Sequence, residues 1–130
     1  MRSFSYMIDD DLYLMPYSYM EEKNNDECAL FNHSCNPNCG FEDAFGDNVI
    51  ACRDIFPGDE LTYHYGFLET EASLILGLVC KCNSAECCSK LTFDYYRDPD
   101  FANKYFKFMT PYLRQKVTLF LSNLLLKLFS

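Results

Sequence analysis

Residues 32–38 read Asn-His-Ser-Cys-Asn-Pro-Asn and follow the short apolar segment 28–31. The heptapeptide is dense in turn formers and in side chains that hydrogen-bond to backbone groups, which is not typical of a regular helix or strand. We therefore expect an irregular segment whose side chains are held in place by hydrogen bonds.

A second informative stretch lies downstream, where residues 57–66 read Pro-Gly-Asp-Glu-Leu-Thr-Tyr-His-Tyr-Gly. Pro-Gly-Asp predicts a tight turn, and residues 61–65 predict a strand. Because strand side chains alternate, Tyr63 and Tyr65 would project to one face and His64 to the other. Ordinary strand packing is the alternative role for the two phenols.

Cys80, Cys82 and Cys87 form a C-x-C-x4-C pattern in a polar loop. The chain has eight cysteines and shows no secretory signal, so metal binding is favoured over a disulfide framework. A structural zinc site takes four ligands, and adjacent residues rarely coordinate one ion together, so a remote fourth ligand is expected. The candidates are Cys88, Cys35, Cys39, Cys28, Cys52 or one of the two histidines, and buried thiols without a metal are the alternative.

The 130 residues suffice for one modest domain, and a hydrophobic fraction of 49% excludes general disorder. The net charge is -8, and residues 1–66 hold 13 acidic and three basic side chains, a net of -10. This distribution disfavours direct nucleic-acid binding and favours a basic, Lys-containing protein or peptide. Acidic residues that only maintain solubility are the alternative. We expect an intracellular protein without a membrane span, in a compartment (nucleus or cytoplasm) that the sequence does not specify.

The remaining elements follow from local patterns. Residues 4–8 and 12–19 predict a hairpin, 48–53 a strand, and 69–78 a short helix. Asp98-Pro99 and Thr110-Pro111 each place a capping residue before a proline, which predicts two C-terminal helices.

The last helix carries apolar residues at helical spacing from residue 113 to residue 128. They are Leu113, Val117, Phe120, Leu121, Leu124, Leu125 and Leu128. We expect this face to pack on its own domain; self-association or a partner interface is the second interpretation, and membrane-surface binding the third.

Taken together and in this order, the motifs at 32–38, 57–66 and 80–87 resemble those of the SET-domain protein-lysine methyltransferases. The resemblance covers residues 28–91, and residues 92–114 are more weakly similar to the tail of small stand-alone SET proteins. It implies a mostly β, SET-like fold of short curved sheets with helical additions. Residues 1–79 would form a partial SET domain without its N-terminal section, residues 80–91 the post-SET zinc loop, and residues 92–130 a helical extension.

The resemblance also implies roles for individual residues. Cys35 would join Cys80, Cys82 and Cys87 around one structural zinc. Asn32 and His33 would contact the methyl donor S-adenosylmethionine, largely through backbone groups. Tyr65 would be the catalytic tyrosine, and Tyr63 would occupy a position associated with the number of methyl groups, favouring mono- or dimethylation. The implied reaction is direct methyl transfer to the side-chain amine of lysine in a protein such as a histone.

One feature departs from the family pattern. SET domains contain a Gly-x-Gly turn that approaches the methyl donor, and this chain has no such motif among its five glycines. The alternative function is therefore a catalytically silent, zinc-stabilised interaction module that keeps the four cysteines without binding the donor.

Overall fold

The computed structural model describes residues 6–14, 31–42 and 48–130. Within these ranges, six short strands precede the helices: β1 (Tyr6–Asp9), β2 (Leu12–Leu14), β3 (Asn32–His33), β4 (Cys39–Phe41), β5 (Val49–Ala51) and β6 (Thr62–Tyr63). Single-turn 3-10 helices follow at Tyr65–Phe67, Tyr95–Arg97 and Phe106–Phe108, with α1 at Pro99–Tyr105 and α2 at Pro111–Leu128. Short strands followed by C-terminal helices agree with the expected mostly β fold with helical additions.

The strands form two small sheets. Strands β1 and β2 form an antiparallel hairpin, as predicted, although residues 15–19 of the expected second strand lie outside the described residues. The other sheet has the order β3-β6-β4-β5, in which β6 is parallel to both of its neighbours and β5 is antiparallel to β4. Strand β5 lies within the predicted 48–53 segment but covers three residues.

Two local predictions were wrong. The strand expected over residues 61–65 ends at Tyr63, and Tyr65 opens a 3-10 helix instead. Residues 69–78 form turns rather than a helix. The Ser73 hydroxyl accepts the backbone N–H of Ile75 (3.2 Å), and Gly77 adopts a positive φ of 79°, so local hydrogen bonds and a left-handed residue replace the helical ladder.

Both C-terminal helices begin where the sequence predicts. The carboxylate of Asp98 accepts the N–H groups of Asp100 (2.9 Å) and Phe101 (3.3 Å), which caps α1. At the start of α2, the hydroxyl of Thr110 instead donates to the carbonyl of Phe67 (3.1 Å). This bond fixes the start of α2 against the 3-10 helix that begins at Tyr65.

An aromatic core joins the second sheet to the helices. Phe41, Phe67, Phe93, Met109 and Leu113 are almost fully buried in it. Gly40 on β4 is required by this packing, because a Cβ atom there would lie 2.5 Å from Cβ of Phe108. The sheet that carries residues 32–33 and 62–63 therefore rests directly on the C-terminal segment.

Only the first half of α2 packs as the sequence predicts. Leu113 and Val117 are buried, and Phe120 and Leu121 are half-buried. The predicted packing residues Leu124, Leu125 and Leu128 are instead exposed, so the second half of α2 does not dock on the described residues. Within the described residues, no helix combines the length and hydropathy needed to cross a membrane.

A matched pair of leucines on α2 tests this packing. We expect Leu113→Ala to lower the free energy of unfolding by about 2 to 5 kcal/mol, because it removes a fully buried side chain. Leu126→Ala, at a position that is 70% exposed, should change it by less than about 0.5 kcal/mol. Urea denaturation followed by circular dichroism measures both, and equal effects would show that α2 does not dock as described.

Candidate functional site

The site is organised by the parallel pairing of β3 with β6. Asn32 lies opposite Thr62 and His33 opposite Tyr63, and the N–H of Ser34 donates to the carbonyl of Tyr63 (3.1 Å). This pairing brings the segment around residue 33 beside the two tyrosines, although about 30 residues of chain separate them.

Asn38 locks the two segments together. Its side-chain amide donates to the carbonyl of Glu60 (2.9 Å), and its side-chain oxygen accepts the N–H of Thr62 (2.9 Å). Its own N–H donates to the carbonyl of Thr62 (3.3 Å), and its side chain is buried. The amide thus replaces strand hydrogen bonds at a point where the chain is irregular.

Four cysteine sulfurs converge at one end of β3. Those of Cys35, Cys80, Cys82 and Cys87 all lie within 4.8 Å of one another, and the Cys35 and Cys80 sulfurs are 3.7 Å apart. Zn–S bonds of about 2.3 Å separate the sulfurs of a tetrahedral zinc site by about 3.8 Å, so the donor set and its spacing fit this metal. Of the other predicted fourth ligands, Cys39, Cys52 and His64 lie outside the described clusters, and Cys28 lies outside the described residues.

The surroundings of three of these thiols shift their pKa values. Burial raises the pKa of Cys35 and raises that of Cys80 to about 12, because a thiolate is poorly solvated there. Burial also acts on Cys82, but hydrogen bonds from Ser84 and neighbouring groups lower its pKa to about 6. A bound divalent cation would offset the cost of ionising Cys35 and Cys80.

A cleft of about 550 Å³ lies between the cysteine loop and β3. Asn32, His33 and Tyr65 line one side of it, and Cys80, Lys81 and Cys82 line the other. Leu78, Val79 and Leu91 add an apolar wall, and Glu60 adds a carboxylate that accepts a hydrogen bond from the side chain of Asn32 (2.6 Å). The cleft therefore offers apolar surface and both signs of charge.

The two tyrosines have different positions relative to this cleft. Tyr65 lines it, and its hydroxyl donates to the carbonyl of Phe31 (3.2 Å). Tyr63 is buried behind it, with its ring 5.2 Å from that of Tyr65 and 5.0 Å from that of Phe41. The rings are neighbours, as predicted, but only Tyr65 is among the described residues that line the cleft.

The histidine between the tyrosines packs against α1 and the preceding 3-10 helix. The ring of His64 contacts the rings of Tyr95 (4.5 Å) and Phe101 (4.8 Å) edge-on, and its Nδ1 accepts the N–H of Gly66 (3.0 Å). Burial lowers the pKa of His64 well below its usual value and lowers that of His33 to about 4. Both imidazoles are therefore neutral at pH 7, and His64 joins the site to α1.

Comparison with known proteins agrees with this geometry. Residues 3–66 match the family model of the SET domain. This match spans 64 of the 130 residues, identifies residues 3–66 as similar to a SET domain and supports the expected SET-like fold. It is 34% identical over 71 residues to the histone-lysine N-methyltransferase ash1 of Drosophila melanogaster, covering 51% of this chain and 3% of that protein. It is 40% identical over 63 residues to the histone-lysine N-methyltransferase TRX1 of Oryza sativa subsp. japonica, covering 45% of this chain and 6% of that protein.

The chain thus spans a small part of the length of these relatives. No solved structure matches it.

Local sequence patterns did not predict the contacts of two residues. Asn38 was expected only to form a turn and Glu60 had no predicted role, yet they connect the segments that form the cleft. A signal for Asn38 exists in the sequence, because a side-chain amide at the end of a turn-rich run can satisfy backbone groups of another segment. Its partners are more than 20 residues away, and local patterns do not identify them.

Adjacent cysteines provide a sharp test of the metal site. We expect the purified chain to hold about one zinc, as a four-thiolate site requires. Cys87→Ser should lower the zinc content and the melting temperature, whereas Cys88→Ser should leave the zinc content unchanged. Elemental analysis and chelator competition measure the effect, and a metal-free wild-type chain of undiminished stability would contradict the assignment.

Proposed function

We propose that this chain transfers a methyl group from S-adenosylmethionine to the side-chain amine of lysine in a protein substrate. The observation that carries the proposal is the position of Tyr65, which lines a cleft between the Asn32–His33 strand and the cysteine loop. The printed names of both relatives as histone-lysine N-methyltransferases support the same reaction class.

The residues of the cleft fit such a donor. Leu78, Val79 and Leu91 provide apolar surface suited to an adenine ring. Glu60 and Lys81 carry opposite charges, which suits the amino and carboxylate groups of a methionine moiety. Asn32 and His33 would contact the donor largely through their backbone. When bound, S-adenosylmethionine supplies an electrophilic methyl group on a sulfonium.

The cysteine cluster would have a structural role in this reaction. Zinc held by Cys35, Cys80, Cys82 and Cys87 has four thiolate ligands and no open coordination position for water. Since Cys35 follows β3 and the other three lie in the loop, the metal would hold the loop against the sheet. It would thereby complete one wall of the cleft.

Tyr65 would act by positioning and by electrostatics. A lysine amine has a reference pKa of about 10.4, so the neutral nucleophile costs roughly 4 kcal/mol at pH 7.4. Desolvation of the amine where it meets Tyr65 in the cleft would disfavour the ammonium form. Because the phenol directs its proton at the carbonyl of Phe31, its oxygen presents electron density to an amine and to a positively charged methyl group.

The substrate class follows from charge. The acidic first half of the chain, with a net charge of -10 over residues 1–66, favours a basic segment around the target lysine. Histone tails have this character, and a histone substrate would place the protein in the nucleus.

Substitution of Tyr65 tests the reaction. We expect Tyr65→Phe to lower the rate of methyl transfer to a lysine-containing basic peptide about 100-fold, because the phenol oxygen is lost while the ring remains. Tyr13→Phe is the matched control, since the hydroxyl of Tyr13 bonds to the carbonyl of Ala72 away from the cleft. Radiolabelled methyl transfer measures both. No transfer by the wild type, together with no calorimetric binding of S-adenosylmethionine, would favour the silent zinc-stabilised module instead.

The number of methyl groups added is a second readout. We propose that Tyr63 limits the product to mono- or dimethyl-lysine, because its hydroxyl-bearing ring packs directly against Tyr65. Tyr63→Phe should shift mass spectra of the peptide product toward higher methylation. An unchanged product distribution would remove Tyr63 from this role.

A further inference from the structure

The imidazole of His33 lies between the cysteine cluster and the backbone of Tyr65. Its Nδ1 accepts the N–H of Tyr65 (3.1 Å), and its Nε2 lies 3.3 Å from the sulfur of Cys35. A peptide N–H can only donate, so Nδ1 uses its lone pair and the proton of the neutral ring is on Nε2. This tautomer directs an N–H group at the sulfur of Cys35.

The same tautomer decides between two overlapping sets of candidate ligands. His33, Cys35, Cys80 and Cys88 also lie within 4.8 Å of one another. A protonated Nε2 has no lone pair for a metal, so His33 cannot be a ligand while the N–H of Tyr65 occupies Nδ1. Cys35 also accepts the backbone N–H of Cys88 (3.4 Å), so two N–H groups are directed at its sulfur, an arrangement that would stabilise a metal-bound thiolate.

We propose that His33 is a positioning residue that couples the metal centre to Tyr65, by donating Nε2–H to the Cys35 thiolate and accepting the Tyr65 N–H at Nδ1. The functional part of this inference rests on the proposed methyl transfer. A metal held by the four cysteines would fix the position of the Cys35 sulfur. That sulfur would orient the His33 ring, and the ring would hold the backbone of Tyr65, which lines the cleft.

The hydrogen bonds made by residues 31–33 restrain both the backbone and the side chain of Tyr65. The N–H held by His33 belongs to the first residue of the 3-10 helix, and the hydroxyl of the same residue bonds to Phe31, two positions before His33. Both ends of Tyr65 are therefore attached to residues 31–33. A displacement of Cys35 would be transmitted to the backbone and the phenol together.

The competing explanation is that the His33 ring only fills space. Its centroid is 4.6 Å from that of His64 and 5.2 Å from that of Tyr65, so the ring does contribute packing. Two substitutions separate the hydrogen bonds from the packing. In His33→Asn the side-chain oxygen replaces the Nδ1 acceptor, and in His33→Gln the side-chain N–H replaces the Nε2 donor.

The experiment compares these variants in the full zinc-loaded chain. For His33→Gln we expect zinc affinity within about 3-fold of wild type but at least about 10-fold faster exchange of the Tyr65 amide hydrogen, with a lower kcat and an unchanged peptide KM. For His33→Asn we expect the converse: a protected Tyr65 amide and zinc affinity lowered about 10- to 100-fold. The Gly66 amide, held by His64, is the internal control for local folding. Parallel losses of both properties in the two variants, or no loss in either, would overturn the proposal.

A measurement on the unsubstituted chain does not depend on how the variants fold. Long-range ¹H–¹⁵N spectra of the zinc-loaded protein should show the His33 proton on Nε2. A proton on Nδ1, or a ¹¹³Cd–¹⁵N coupling to His33 after cadmium substitution, would also overturn the proposal. Chelator competition, amide exchange and these spectra need no methyl donor, so failure of the coupling is distinguishable from failure of the proposed activity.

Discussion

The parallel pairing of residues 32–33 with residues 62–63 is the constraint on which the site depends. It is too short to persist as an isolated sheet, and Asn38 supplies the additional bonds that hold the two segments together. Because this contact is made, Cys35 faces the cysteine loop and His33 faces Tyr65. Without this strand pairing, the cysteine ligands and the phenol of Tyr65 would not be held close to each other.

The C-terminal helices support the pairing of β3 with β6 through residues that follow β6 in the chain. The ring of His64 packs against Phe101 of α1, and Thr110 bonds to the carbonyl of Phe67 at the end of the 3-10 helix. The neutral imidazole suits this place because it can accept the N–H of Gly66 inside an aromatic environment. The helices thus restrain the residues on either side of Tyr65, although none of their side chains lines the described cleft.

The sequence predicted those features that depend on residue type at close spacing. These features are the C-x-C-x4-C loop, the two helices that begin at a proline, and the pair of neighbouring tyrosines. The helix predicted over residues 69–78 failed because three consecutive apolar residues, Leu74 to Leu76, do not form a helical face and remain exposed. The bonds of Asn38 and the tautomer of His33 depend on contacts across more than 20 residues, which no local pattern records.

The separation of these partners also bears on how the domain folds. His33 and Tyr65 are 32 positions apart, and Cys35 and Cys80 are 45 apart, so each contact closes a long loop at an entropic cost. The hairpin and the helices involve much nearer neighbours and carry a smaller penalty. We therefore expect the cleft to be the last region to acquire its native structure during refolding, with ion capture by the thiols as the closing event.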